Sequence, residues 1–216
     1  MFTATFTGPF DAVTPGPHLA GMIVGIVLAG GRSERMGRPK ALLTAGGATF
    51  LERCVESLGR GGCGDVLVVL NSEDPVMTRL ASATGARVVR GAGETSEQID
   101  SLRAGLNALP PGSEAVVVLP VDHPLVAAET VAALLRVFSD SRAPVVRAAY
   151  RGKPGHPVLF SRACFADLLE DTAAEGARSV VRRYRDASRD VEVSDRGVVA
   201  DIDTPADFEA YFGEEL

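Results

Sequence analysis

The feature that most constrains this chain is a short apolar run that stops at two glycines and leads straight into a string of cations. Ile23 to Leu28 is mostly β-branched and aliphatic, the pattern of a strand buried on both faces of a parallel sheet. The run breaks at Ala29-Gly30-Gly31, where glycines let the backbone turn sharply and come close to a ligand. Arg32, Ser33, Arg35, Gly37, Pro39 and Lys40 follow. A loop of backbone N–H groups backed by Arg32, Arg35 and Lys40 suits a polyphosphate. A lone charged loop would read as solvated surface; glycines, cations and the Pro-Lys pair in one window after a buried strand favour a phosphate site. The window is neither a Walker P-loop nor a G-x-G-x-x-G dinucleotide fingerprint.

Downstream, buried-strand and amphipathic-helix patterns alternate. Val66–Leu70, Ala86–Val89, Ala115–Leu119 and Pro144–Tyr150 read as strands, with Val158–Phe160, Val191–Val193 and Val198–Ala200 as shorter ones. Thr49 and Glu52 have capping-box spacing, and Phe50, Leu51, Cys54, Val55 and Leu58 share one face of the helix that follows. Cys54 therefore reads as core rather than nucleophile. Further helices are expected at Val76–Ala83, around Leu102, Leu106 and Leu109, at Ala127–Phe138, around Phe165 and Leu168, and at Gly176–Tyr184. Arg151–Pro157 reads as a polar turn. The last helix begins with Thr204 as N-cap and Pro205 at its first position. Such alternation predicts an α/β fold, one sheet between two helical layers.

A chain of 216 residues with 46% hydrophobic content has room for a single domain with a sizeable core, assigned here to residues 22–216. Residues 1–21 carry three prolines, three glycines and no periodicity, and read as a disordered tail; Met22 would serve as an alternative start. The well-mixed net charge of −6 argues against a nucleic-acid partner. No apolar run is long enough to span a membrane, so no membrane partner is expected. Cys54, Cys63 and Cys164 form no C-x-x-C, which suits reduced thiols in a cytoplasmic protein. Of 22 basic residues only Lys40 and Lys153 are lysine, and both fall beside candidate site segments, where a compact, mobile ammonium would be useful.

Candidate carboxylates sit in two places. Asp122 follows the Ala115–Leu119 strand within Pro120-Val121-Asp122-His123-Pro124, and open α/β sheets place ligand groups at the carboxyl ends of strands. Asp201 and Asp203 admit two readings, metal ligation or helix capping at Thr204-Pro205. His123 and His156 each precede a proline, and neither has a ligand-spaced histidine partner, so a zinc site is not expected. On spacing alone, Ser101-Leu102-Arg103 reads as the start of an amphipathic helix.

The window from Leu28 to Lys40, L-A-G-G-R-S-E-R-M-G-R-P-K, resembles the signature of the nucleotidyltransferases, and within them the molybdenum-cofactor guanylyl- and cytidylyltransferases, the MobA-like kind. The resemblance runs from about Ile23 to Phe212. It implies a Rossmann-like, mostly parallel sheet with one antiparallel strand. It also implies Mg²⁺-dependent transfer of a nucleoside monophosphate from a triphosphate to molybdopterin, with release of pyrophosphate. On that resemblance Leu28, Ala29, Gly30, Gly31, Arg32 and Ser33 cradle the nucleotide, and Ser101 and Arg103 add to its pocket. Arg35 and Lys40 hold phosphate oxygens and, with Asp122, form the catalytic group. Asp122 and Asp203 or Asp201 hold the metal. Lys153, Gly155 and His156, in a Gly-His-Pro motif, face the acceptor. Val121 stands where the family usually has glycine.

The motifs divide on the base. Ala29-Gly30-Gly31 resembles the guanylyl branch; Ser101-Leu102-Arg103, Gly155-His156-Pro157 and Asp201-Ile202-Asp203 resemble the cytidylyl branch. Three segments against one predict CTP over GTP. A molybdoenzyme or its chaperone is a further partner that the family brings in. Rival readings are transfer to another phosphorylated acceptor such as a sugar phosphate, NAD(P)H-dependent reduction of nicotine blue, and a nucleotide-binding chaperone for a molybdoenzyme.

Overall fold

The Ile23–Leu28 run is the centre of the sheet. In the computed structural model, which describes residues 22–31, 34–93, 96–170 and 176–213, it forms β1 (Met22–Leu28). The tail expected at residues 1–21 lies outside the described residues, as do Arg32 and Ser33. β1 is parallel to β4 (Asp65–Leu70) on one side and to β6 (Ser113–Pro120) on the other, with Ile26 opposite both Leu67 and Val118. Hydrogen-bonded on two edges and covered on two faces, β1 has no use for polar alternation, which is why it reads as one apolar block. Ile23 and Val27 point to one core cluster with Phe50, Leu58, Val131 and Leu134. Val24 and Ile26 point to the other, with Leu102, Leu106, Leu168 and Val180.

The remaining strands are a small hairpin of β2 (Thr44–Ala45) and β3 (Ala48–Thr49) around Gly46-Gly47, then β5 (Arg87–Arg90), β7 (Val145–Tyr150), β8 (Lys153–Ser161) and β9 (Arg189–Glu192). Among the described residues the main sheet runs β5-β4-β1-β6-β8-β7-β9, with β8 antiparallel to both β6 and β7. The helices are α1 (Phe50–Arg60), α2 (Pro75–Ala83), α3 (Gln98–Asn107), α4 (Ala128–Ser141), α5 (Phe165–Leu169), α6 (Ala177–Arg183) and α7 (Pro205–Phe212). The chain passes from β1 outward through β4 to β5, then returns to place β6 on β1's other side. The order therefore reverses between β1 and β6, and a crevice opens at their carboxyl ends.

Two expectations from the sequence need correction. Only Arg151-Gly152 is a turn; Lys153–Pro157 already belongs to β8. This stretch pairs with β7 alone, since β6 joins only from Val158, so Pro154 and Pro157 sit where the ladder asks less of their missing N–H groups. Val198–Ala200 is not a strand. Arg196–Val199 is a 3₁₀ turn, closed because the Asp195 carboxylate accepts from Gly197 N at 2.8 Å and, from the other side, from Ala127 N and Thr130 Oγ1. Local side-chain capping overrides the β propensity of Val198 and Val199.

Candidate functional site

The crevice is built from strand ends. β1 delivers Leu28-Ala29-Gly30-Gly31, and its ladder continues past its end, with Ala29 N bonded to Val69 O and Val121 N to Leu28 O, each at 3.0 Å. Next comes a 3₁₀ turn, Glu34–Met36, anchored by buried Met36, and a second, Lys40–Leu42, anchored by buried Ala41. These anchors turn Lys40 toward Asp122, the carboxylate that follows β6, and both Arg35 and Lys40 toward Asp203. Lys40 Nζ donates to Asp203 Oδ1 and lies 3.3 Å from Asp122 Oδ2, while Arg35 donates to the other Asp203 oxygen. Lys40, Arg35, Asp122 and Asp203, far apart in sequence, thus meet at one point.

Asp203 reaches that point because of its neighbours. Ile202 is fully buried and its N–H bonds to the Asp122 carbonyl at 2.9 Å, which ties this segment to the β6 end. The Asp207 carboxylate accepts from Asp203 N, Thr204 N and Thr204 Oγ1, a capping box that starts α7. Capping belongs to Thr204 and Asp207, which leaves the Asp203 carboxylate for Lys40 and Arg35. The Lys40 hydrogen bond holds Asp203 below the usual carboxylate range. Asp201 moves the other way: burial raises it, and the charges of Asp122 and Asp203 add to the rise.

Two cavities meet here and share Leu28, Gln98 and Pro120. The first, about 580 Å³, is lined by Leu28–Gly31, Arg35, Lys40, Asn71, Ser96, Ser101, Asp122 and Asp203 among others. The second, about 970 Å³, is lined by His123, Arg147, Gly155, His156, Arg178, Arg182 and Asp201 among others. Asp122 and Asp203 thus face the first cavity and Asp201 the second. Both volumes fall in the range of small-molecule sites.

Asn71 is the residue that sequence reasoning missed. Its side-chain amide nitrogen bonds Ser96 Oγ and Ser101 Oγ at 2.9 Å and Gly30 O at 3.3 Å. A Cβ on Gly30 would lie 2.3 Å from that nitrogen, and one on Gly91 would lie 1.8 Å from Asn71 Oδ1. Gly30 is therefore required by the Asn71 carboxamide packed on it. Asn71 directly follows β4 as Asp122 follows β6, so the rule that singled out Asp122 could have found it.

Two expected site residues lie elsewhere. Arg103 donates to the carbonyls of Leu168 and Glu170 and pairs with Asp100 at 3.1 Å, so it fastens α3 to α5 and does not line the first cavity. Lys153 is exposed at the start of β8 and does not line the second cavity. Gly155 and His156 do line it. A Cβ on Gly155 would lie 2.0 Å from the Val198 carbonyl, so this glycine lets β8 pass the Arg196–Val199 turn. His156 packs against His123 with ring centroids 4.8 Å apart and planes tilted by 54°, and its Nδ1 is buried without a hydrogen-bond partner. Burial first, then the neighbouring His123, pushes His156 down to about 3. Cys54, Cys63 and Cys164 are buried, and burial pushes Cys63 up to about 12 and Cys164 up to about 11; Cys54 is raised by the same cause. None is a nucleophile at neutral pH.

Known proteins share this arrangement of strands. A family model described as the MobA-like NTP transferase domain matches residues 25–188. A protein of Mycobacterium avium named probable molybdenum cofactor guanylyltransferase is 31% identical over 192 residues, which cover 87% of this chain and 94% of that one. A nicotine blue oxidoreductase of Paenarthrobacter nicotinovorans is 28% identical, covering 84% of this chain and 92% of its own. Among solved structures, Rv0371c of Mycobacterium tuberculosis superposes with a TM-score of 0.79 at 28% identity, covering 90% of this chain and 99% of that one. Its complex with manganese gives 0.75 at 25%, covering 89% and 99%. The chain belongs to the family of MobA-like NTP transferase domains, and it is a nucleotidyltransferase of that family.

Proposed function

We propose that the chain transfers a nucleoside monophosphate from a triphosphate in the first cavity to a molybdopterin-type phosphate acceptor in the second, releasing pyrophosphate. The observation that carries this reading is the Lys40 ammonium between Asp122 and Asp203 in the wall of the first cavity, which adjoins the second through Leu28, Gln98 and Pro120. An acceptor phosphate oxygen would attack the α-phosphorus in line. The new P–O bond forms as the bond to the bridging oxygen of the β-phosphate breaks, and that electron pair leaves with pyrophosphate. A phosphate monoester is largely dianionic at neutral pH, so its oxygen attacks without a general base, in keeping with cysteines and a His156 that do not exchange protons there.

Position and charge do the remaining work. Gly30 and Gly31 give the phosphates close access to the backbone, and Lys40 and Arg35 neutralise charge as it builds on the phosphate oxygens. The donor set of Asp122 and Asp203 suits Mg²⁺, which takes one or two carboxylates plus phosphate oxygens; the buried Asp122 Oδ1, without a hydrogen-bond partner, is a further free donor atom. Bound there, Mg²⁺ would supply charge neutralisation across the phosphates. Arg147, Arg178 and Arg182 in the second cavity suit an anionic acceptor.

For the base, we favour GTP over the CTP expected from motif counting. Of the three cytidylyl-like segments only single residues, Ser101 and Asp203, line the first cavity, while Gly155, His156 and Asp201 line the second; the guanylyl-like Ala29-Gly30-Gly31 lies in the first cavity's wall as a whole. The name of the Mycobacterium avium relative points the same way. Pyrophosphate release with GTP and CTP, each against molybdopterin and a sugar phosphate, tests the proposal. GTP ahead of CTP by tenfold or more in kcat/KM is expected, on the roughly 1–3 kcal/mol that an unpaired base edge costs. The oxidoreductase relative motivates one further arm, NADPH oxidation with a quinonoid pigment; turnover there without pyrophosphate release would replace this reading. A site in the cytoplasm and delivery of product to a molybdoenzyme or its chaperone belong to the same proposal.

A further inference from the structure

Asp122 lies past the end of β6 and Asp203 before the start of α7, so neither belongs to the sheet ladder or to a helix. What fixes them against each other is remote from both. The Asp195 carboxylate lines neither of the two cavities, yet both of its oxygens are engaged. Oδ2 accepts from Ala127 N at 2.8 Å and from Thr130 Oγ1 at 2.7 Å, and Oδ1 accepts from Gly197 N at 2.8 Å. Ala127 is the N-cap residue of α4 and makes no side-chain cap of its own, so Asp195 supplies the capping carboxylate from another part of the chain. One side chain thus clamps the entry of α4 to the Arg196–Val199 turn. The two backbones touch there: a Cβ on Gly197 would lie 2.3 Å from the Leu125 carbonyl oxygen.

Two arms run from this clamp to the site. One goes back from Ala127 to Asp122 through a tight turn, in which Val126 N bonds His123 O at 3.4 Å and His123 N bonds Pro120 O at 3.1 Å. The other goes forward from Gly197, whose carbonyl accepts from Ala200 N at 3.2 Å, to Ile202, whose N–H bonds the Asp122 carbonyl at 2.9 Å, and so to Asp203. Asp122 and Asp203, one on each arm, both contact Lys40. The arms also carry part of the second cavity's wall, His123 on the first and Val198, Val199 and Asp201 on the second. We infer that Asp195 is a positioning residue for nucleotidyl transfer: it sets Asp122 against Asp203 around Lys40 and shapes the second cavity, without touching either ligand. A carboxylate is needed because both backbone partners can only donate. In Asp195→Asn the single oxygen serves one side, and the amide N–H groups face the N–H of Gly197 or of Ala127 on the other. The effect on turnover rests on the proposed function; the clamp itself does not.

The test compares the full chain with Asp195→Asn well below both melting temperatures, where a purely structural role moves no kinetic constant. Pyrophosphate release with GTP and molybdopterin should show kcat lowered by about tenfold or more, the scale that a small misplacement of reacting groups produces, and a raised acceptor KM. GTP affinity by calorimetry should hold, because the Leu28–Gly31 loop and Asn71 do not hang from the clamp. Thr130→Val, which removes one of the three donors, should give a smaller fall in kcat, and Thr130→Ser should recover most of it. Amide hydrogen exchange at Ile202 should be faster in Asp195→Asn, since that N–H bonds the Asp122 carbonyl and reports the join of the two arms. A folded Asp195→Asn with wild-type kcat and acceptor KM, or with unchanged exchange at Ile202, overturns the inference. If Asp195→Asn does not fold, Thr130→Val decides it, and unchanged kcat there overturns it too. A wild type that releases no pyrophosphate overturns the proposed function alone; the exchange arm then still decides whether Asp195 holds the Asp122 segment.

Discussion

Lys40 carries the most weight in the proposed mechanism, because among the described residues its ammonium alone contacts both Asp122 and Asp203. Lys40→Ala and Asp122→Ala should each lower turnover on the order of 10²-fold or more, as loss of a preorganised charge at the reacting centre does. Both residues stand at a cleft, so folding should survive, and thermal denaturation run beside steady-state assays separates the two effects. Near-wild-type turnover in either variant would remove this mechanism. His156 gives a different residue-scale prediction. It is held at about 3 in the folded chain against an ordinary 6.5, so between those values the unfolded chain binds a proton that the folded chain refuses. Stability from this residue is therefore intact above about pH 6.5 and falls as pH drops toward 3, by up to about 1.4 kcal/mol per unit. Between pH 7 and 5 the wild type should lose about 2 kcal/mol more than His156→Gln, measured by urea denaturation at each pH. Parallel loss in both proteins would show that the ring is not desolvated.

At the scale of elements, the start of α7 links stability to chemistry. Asp207 holds Asp203 N and both donors of Thr204, and the Thr204 side-chain hydrogen bond is the main reason its carboxyl stays low. Asp207→Ala should cost about 1 kcal/mol of stability as a lost cap, and should also lower turnover, because Asp203 loses its backbone anchor. Asp207→Asn, which keeps an acceptor oxygen, should recover most of both; lost stability with full activity would show that the cap does not position Asp203. Gly155 tests the close pass of β8. Its Cβ would overlap the Val198 carbonyl, so Gly155→Ala should cost about 1–3 kcal/mol and disturb the second cavity, seen as a lower melting temperature and a raised acceptor KM. An unchanged melting temperature would mean that the Arg196–Val199 turn slides freely. This element also marks the limit of what the sequence discloses. β1, β4, β6 and the capped helices α1 and α7 were legible, because hydrophobic blocks and capping residues act locally. The turn at Arg196–Val199 was not, because Asp195 closes it with help from Ala127 and Thr130 on α4 and its entry, partners remote in sequence. Pro154 and Pro157 misled for the same reason: whether a proline fits a strand depends on which neighbour pairs with it.

At the scale of the molecule, the strand order decides what the site can be. No local pattern reveals that β6 lies beside β1 rather than beyond β5, yet that placement brings Asp122 to Gly30 and sets two cavities against a shared wall of Leu28, Gln98 and Pro120. It also explains why the base we propose departs from the count of motifs. Segments that are equal votes in the sequence fall on different sides of the wall: Asp201 and His156 line the second cavity, Arg103 is turned away to α5, and Gly30, Ser101 and Asp203 line the first. A ligand in the first cavity touches the ends of β1, β4 and β6 together, the centre of the sheet, and so should report through the stability of the whole domain. Ligand at about a hundredfold excess over Kd contributes about 2.7 kcal/mol, or roughly 5–10 °C in melting temperature for a domain of this size. With Mg²⁺ present, GTP should give a shift of that order, CTP at the same concentration a smaller one, and NADPH almost none, since no dinucleotide fingerprint follows β1. Lys40→Ala should flatten the GTP response while keeping the unliganded melting temperature. A larger shift with CTP would return the base assignment to cytosine and leave the transferase reading standing; a shift with NADPH alone would move the first cavity to hydride chemistry and take the nucleotidyl mechanism with it.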